Sequence, residues 1–128
     1  MNTSTIDYAR FRNLSGTDLA AYIGDDWCTR PLGTAFLDLC LTEIERFDEY
    51  HLVYAIELGA LHDPERFSRL IPKYLADKRT SVWTAAFRAL CRIPSITSEV
   101  YKDIVMYAAR CADHELTDFL EDMRCKVR

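Results

Sequence analysis

The stretches DEYHLVYAIELGAL (residues 48–61) and DKRTSVWTAAFRAL (residues 77–90) decide the fold. Each opens on an Asp, places a Val five residues later and a Leu eight beyond that. Asp48 and Asp77, Val53 and Val82, and Leu61 and Leu90 all stand 29 residues apart. Ala60 aligns with Ala89, Leu58 with Phe87, and Tyr54 with Trp83; further upstream, Leu41 aligns with Leu70. Self-similarity at a fixed period is the sequence signature of a repeat architecture, in which each unit is covered by its neighbours. Within both stretches the apolar residues recur at helical steps, so each copy reads as an amphipathic helix.

Outward from this pair the chain continues in helices. Phe36, Leu37, Leu39, Cys40, Leu41, Ile44 and Phe47 form a broad apolar face on a helix expected over residues 34–47. Asp48 is placed to cap the next one, which carries Leu52, Val53, Ile56, Leu58 and Leu61 inward. Asp63-Pro64-Glu65 is a start signal: Asp caps, Pro takes the first helical position, and Glu complements the helix dipole. Pro72 lies inside that helix and must kink or break it, because it lacks an N–H and its ring clashes with the preceding turn. Val82 to Ile93 is strongly apolar and is ended by Pro94. Thr97-Ser98-Glu99 opens a helix with Val100, Ile104, Val105, Tyr107, Ala108 and Cys111 inward or partly so. A last helix is expected after a cap at Asp113, with Leu116, Phe119, Leu120 and Met123 inward. Before the repeated region, a short helix over residues 4–14 and a second over residues 19–23, capped by Thr17-Asp18, lead into the irregular stretch 24–31.

Composition agrees. With 4 Gly and 4 Pro in 128 residues there are too few turn formers for a many-stranded fold. No segment alternates with a period of two. The expected class is all-α, one domain over 1–128: short helices and a loop (1–33), two repeat pairs (34–93), and a capping helix pair (97–128). An irregular helical bundle is the alternative. Apolar residues make up 49%, enough for a core without a metal or disulfide staple. No apolar run is long enough to span a bilayer, since the least charged one, Leu52 to His62, contains Glu57. The first residues carry neither a basic region nor an apolar one, so no secretory signal is read there. Five cysteines without a framework read as free thiols, with Cys40, Cys91 and Cys111 buried in apolar helices, and as a cytoplasmic location.

Pro72, Asp77, Val82, Ala85, Ala86, Leu90 and Ile93 resemble the motif of the HEAT-repeat family, with a bent first helix, an Asp, a Val five residues on, small residues, then Leu. The usual Arg after the Val is replaced by Trp83, and by Tyr54 in the earlier copy. Pro72 is also closer to Asp77 than the family spacing has it. The resemblance spans residues 34–93 and implies a right-handed stack of about four antiparallel helix pairs. Such stacks supply surfaces.

Candidate chemistry is sparse. His51, His62 and His114 each fall at a helix start or end and read as solvated; Cys111-x-x-His114 lacks the paired spacing of a zinc site, so no metal is expected. There is no nucleophile elbow and no glycine-rich phosphate cradle, so no catalytic residue and no cofactor is assigned, and the chain is read as a non-enzyme. Arg66, Arg69, Lys73, Lys78, Arg79, Arg88 and Arg92 make the middle basic, but Asp63, Glu65 and Asp77 interleave and the net charge is −4, which argues against nucleic acid. Glu115, Asp118 and Asp122 share one face of the last helix, and Glu121 extends it: an anionic docking strip. Asp25 and Asp26 lie in the irregular loop beside Trp27. Trp27, Tyr54 and Trp83 are aromatics with one polar atom, the kind favoured at interfaces.

Small size, acidic balance and α-α repeats resemble the cytoplasmic immunity proteins that protect bacteria from toxins. The resemblance implies a protein-binding module that occludes a cationic toxin domain, with no membrane involvement. The contact residues would be Asp25, Asp26, Trp27, Tyr54, Trp83, Glu115, Asp118, Glu121 and Asp122. A structural or adaptor subunit of a larger assembly is the alternative; a HEAT-like nucleic-acid-binding protein or an enzyme ranks below both.

Overall fold

The computed structural model describes residues 4–111 and 116–128. Over these the chain is helical: α1 (Tyr8–Asn13), α2 (Gly16–Ile23), α3 (Phe36–Glu43), a 3-10 turn (Ile44–Arg46), α4 (Glu49–His62), α5 (Pro64–Phe67), a second 3-10 turn (Ile71–Ala76), α6 (Thr80–Arg92), α7 (Ser98–Ala108) and α8 (Thr117–Cys125). Among the described residues extended pairing is confined to two isolated parallel bridges, Ile6 with Leu32 and Ile96 with Val127.

Several helix boundaries follow from the local signals. The Asp48 side chain accepts from the His51 N–H, that of Asp63 from the Arg66 N–H, and that of Thr97 from the Val100 N–H, each filling an orphan donor of the helix it opens. Others differ from expectation. The first helix begins at Tyr8 rather than near residue 4, because Ile6 is held extended by Pro31 and Gly33: its N–H donates to the Pro31 carbonyl and its own carbonyl accepts from Gly33. The second starts at Gly16 after Ser15, ahead of the Thr17-Asp18 cap. The third starts only at Phe36, preceded by Ala35 at φ 65°, a left-handed conformation that costs a residue with a Cβ about 1–2 kcal/mol. Pro72 breaks its helix outright: α5 ends at Phe67 and the chain resumes as a 3-10 turn. The Asp113 cap lies outside the described residues.

α4 and α6 form the centre. α4 packs on α6; the 71–76 turn packs on both α6 and α7; α5 packs back on α4; α8 rests on α6 and α7. Burial repeats between the two central helices with a step of 30, not 29: Leu52, Ala55, Ile56, Gly59 and Ala60 recur as Val82, Ala85, Ala86, Ala89 and Leu90. The residue alignment is thus one position out of register with the faces. In consequence Leu61 is 40% exposed while its sequence counterpart Leu90 is fully buried, and Val53 is only half buried. Val105, expected inward or partly so, is exposed on α7.

Gly59 controls the closest approach. A Cβ there would stand 2.1 Å from the Phe67 ring, which is fully buried and has nowhere to move. The turn at Asp63-Pro64 folds Phe67 onto the bare backbone of α4.

His51 corrects the expectation of solvated histidines. It is 2% exposed; Nδ1 lies 2.7 Å from Asp48 Oδ1 and Nε2 lies 2.9 Å from the Phe11 carbonyl, tying α4 to α1. Its ring sits edge-on to Phe11 at 5.1 Å. Partial burial works against Asp48 ionising, but the His51 N–H, the His51 ring and the Tyr50 N–H outweigh it and hold the carboxyl below its usual range. His62 is exposed as expected, and partial burial lowers its pKa. His114 lies outside the described residues. Of the thiols, Cys40 is buried and its pKa is pushed up to about 12 by burial, Cys111 is half buried, and Cys91, expected inside, is exposed on the outer side of α6.

Gly59→Ala should destabilise the fold by about 1–3 kcal/mol despite the better helix propensity of Ala, read as a lower urea midpoint at unchanged slope. His51→Leu should lose about 1–3 kcal/mol, because the Phe11 carbonyl keeps its burial and loses its donor; chemical denaturation of the variant checks it.

Candidate functional site

α8 is fixed through its apolar side. Leu116, Phe119 and Met123 are buried. The Phe119 ring stacks on Phe87 at 4.7 Å, and Phe87 stacks on Trp83 at 5.5 Å, so an aromatic ladder joins α8 to α6. Trp83 is half buried in this ladder, and its Nε1–H donates to Cys111 Sγ at 3.1 Å. Cys111 in turn donates to the Leu75 carbonyl. Trp83 therefore packs within the fold.

With α8 seated this way, Asp118, Glu121 and Asp122 face solvent. Glu121 is bound by Arg124, whose Nε donates at 3.0 Å; that hydrogen bond holds the Glu121 carboxyl below its usual range. Asp118 and Asp122 form no ion pair among the described residues. Glu115 lies outside the described residues, so the strip as described consists of two free carboxylates and one paired one.

The basic middle of the chain behaves differently. Arg66 pairs with Asp38 at 2.6 Å and Asp63 at 2.5 Å, Lys73 with Glu45, Arg79 with Asp77 at 2.9 Å, and Arg88 with Glu57 at 3.6 Å. Much of this positive charge is answered inside the molecule. Asp25 and Asp26 are exposed in the turn after α2, where Thr29 closes on the Asp26 carbonyl through both N–H and hydroxyl at 3.0 Å.

Trp27 and Tyr54 each neighbour one member of a charged group formed by Glu57, Arg88 and Arg92. Trp27 is half buried and the Arg92 guanidinium lies over its ring at 5.3 Å. Tyr54 is half buried one turn before Glu57 on α4; burial and, less strongly, the Glu57 charge raise its pKa. Glu57 is the unusual member. It is 7% exposed, and its Oε1 is buried without a hydrogen bond. Burial raises its pKa; Arg88 and then Arg92 pull in the opposite direction without cancelling the effect. A single carboxylate inside the apolar run from Leu52 to His62 was the signal in the sequence for this group. The corresponding signal for His51 was Asp48, three residues earlier at the helix start.

Among the described residues no group of three or more His, Cys, Asp or Glu side chains converges to hold a metal ion. No helix there is long and apolar enough to cross a membrane. A scan against protein-family models gives no match, and searches of curated proteins and of solved structures give none either.

The raised Glu57 pKa has a definite sign. The fold binds this proton more tightly than the unfolded chain, so Glu57 makes no loss below the ordinary carboxylate pKa, and stability falls as pH rises through the interval up to the folded value. Glu57→Gln removes that loss. Its melting temperature should gain on the wild type as pH rises above the ordinary carboxylate pKa; a difference that stays constant as pH rises would contradict it.

Proposed function

We propose that this chain is a protein-binding module built as a HEAT-like stack of helix pairs, and that it neutralises a cationic bacterial toxin by covering it in the cytoplasm. The observation that carries the reading is the pair of free carboxylates Asp118 and Asp122. They stand exposed about one turn apart on a helix whose other side is locked into the core, while four cations of the middle region are paired internally. A fixed anionic surface of this kind speeds encounter with a basic partner and rejects acidic ones. The packing of α4 on α6 and of the 71–76 turn on α7, with the 71–76 turn also against α6, is the contact pattern expected of two alternating helix layers and supports the stack. No cofactor and no catalysis belong to this reading.

The alternative, an adaptor subunit, is favoured by one feature: Val105 and Met106 lie side by side and exposed on α7, 38% and 44% accessible, as a buried assembly contact would require.

Co-expression with a cognate toxin domain, sought among the reading frames that neighbour its gene, should restore growth and yield a co-purifying complex. Continued killing without co-purification would reject the immunity role. With that complex in hand, Asp118→Lys with Asp122→Lys should slow association about tenfold or more at low salt and flatten its salt dependence. An unchanged rate would take α8 out of the interface.

A further inference from the structure

Beyond the acidic helix, the α4–α6 face carries a second site of opposite character. Arg88 and Arg92 are one turn apart on the exposed side of α6, and both lie within electrostatic range of the same buried carboxylate, Glu57. Each guanidinium is anchored by a different contact. Arg88 turns its Nε toward Glu57 Oε1 at 3.6 Å, with its side chain 56% exposed. Arg92 lies over the Trp27 indole at 5.3 Å and makes no hydrogen bond or ion pair among the described residues. Contact through Nε on one and through the ring face on the other leaves terminal N–H groups of both free. Planar N–H pairs of this kind match the oxygens of carboxylate and phosphate two at a time.

The buried acid is the second observation. Glu57 is more than nine-tenths buried, and its Oε1 receives no hydrogen bond although Arg88 is the group aimed at it. Orphan buried acceptors are rare in folded proteins and costly to keep. A small inward shift of the guanidinium would give Oε1 a donor through Nε and leave the outer N–H groups of Arg88 for a ligand. At the end of α6 the Lys126 Nζ donates to the Leu90 and Cys91 carbonyls at 3.2 and 2.7 Å.

We propose that Arg88 and Arg92, backed by buried Glu57 and by the Trp27 ring, form a binding site for an oxyanion, a phosphate group or a carboxylate. This does not rest on the toxin-binding reading, and the two fail separately. Glu57 is a positioning residue for Arg88, and Trp27 for Arg92.

The test follows the side-chain Nε–H signals of Arg88 and Arg92 by ¹⁵N NMR in the unmodified chain. Inorganic phosphate, acetate and chloride are titrated at matched ionic strength and pH. Phosphate or acetate should shift both signals saturably while chloride does not. The stronger of the two identifies the source, a phosphate ester or a carboxylate side chain. Arg88→Gln with Arg92→Gln, checked for native circular dichroism, should weaken the phosphate response in the remaining amide spectrum about tenfold or more. Glu57→Gln should reduce the Arg88 shift and leave that of Arg92, a split that a general loss of fold would not give. Shifts equal for all three salts, or an amide response unchanged in the double variant, would overturn the site.

Discussion

The arrangement depends on how closely the chain can return to α4 after Asp63. Only a residue without a Cβ at position 59 lets the buried Phe67 ring lie against the helix backbone, and the Asp63-Pro64 turn delivers it there. That contact sets the position of the 71–76 turn, which in turn supports α6 and α7. α6 then meets α4 through Ala85, Ala86 and Ala89, all fully buried, against a face that includes Ala55 and Ala60. Small residues let backbones approach, and close approach is where dispersion contacts accumulate. α8 joins this centre through Phe119 on Phe87. A larger side chain at position 59 would thus be felt across several elements.

Helical class, the caps at Asp48, Asp63 and Thr97, and the stop at Pro94 were legible because each rests on local chemistry: an oxygen accepting a free N–H, or a residue without one. The registers of the two central helices were not. The 29-residue alignment pairs similar residues, whereas the faces repeat at 30, because a helix turns toward whatever packs on it, and here Phe67 and the 71–76 turn decide that. The start of α1 was misplaced for a similar reason. Ile6 reads as helical alone, but its backbone hydrogen bonds go to Pro31 and Gly33, partners no local pattern reveals. Of the candidate site, the exposure of Asp118, Glu121 and Asp122 followed from helical spacing. The convergence of Trp27 with Arg92, and of Glu57 with Arg88, is tertiary and did not.

Charge is sorted along the molecule more sharply than a net value of −4 suggests. Within residues 66–88, Arg66, Lys73, Arg79 and Arg88 each stand against carboxylates, drawn from Asp38, Asp63, Glu45, Asp77 and Glu57. The outer side of α8 keeps two carboxylates without such partners, and the adjacent end of α6 keeps Arg92 free. Opposite fields side by side give a surface direction as well as sign, which orients an approaching charged molecule before contact.

The buried polar ties of the N-terminal segment differ in reach. Arg30, 2% exposed, donates from Nε and Nη2 to the Ser4 carbonyl at 3.2 and 2.8 Å and from Nη1 to the Ile23 carbonyl at 3.0 Å. The His51 ring reaches the Phe11 carbonyl across 40 residues. Every one of these bonds needs both ends already in place, and each closes a loop whose entropy must be lost before the bond returns anything. The Arg30 bonds close the first thirty or so residues on themselves, whereas the His51 bond fastens that segment to α4, so one imidazole joins a self-tied segment to the helices it lies on.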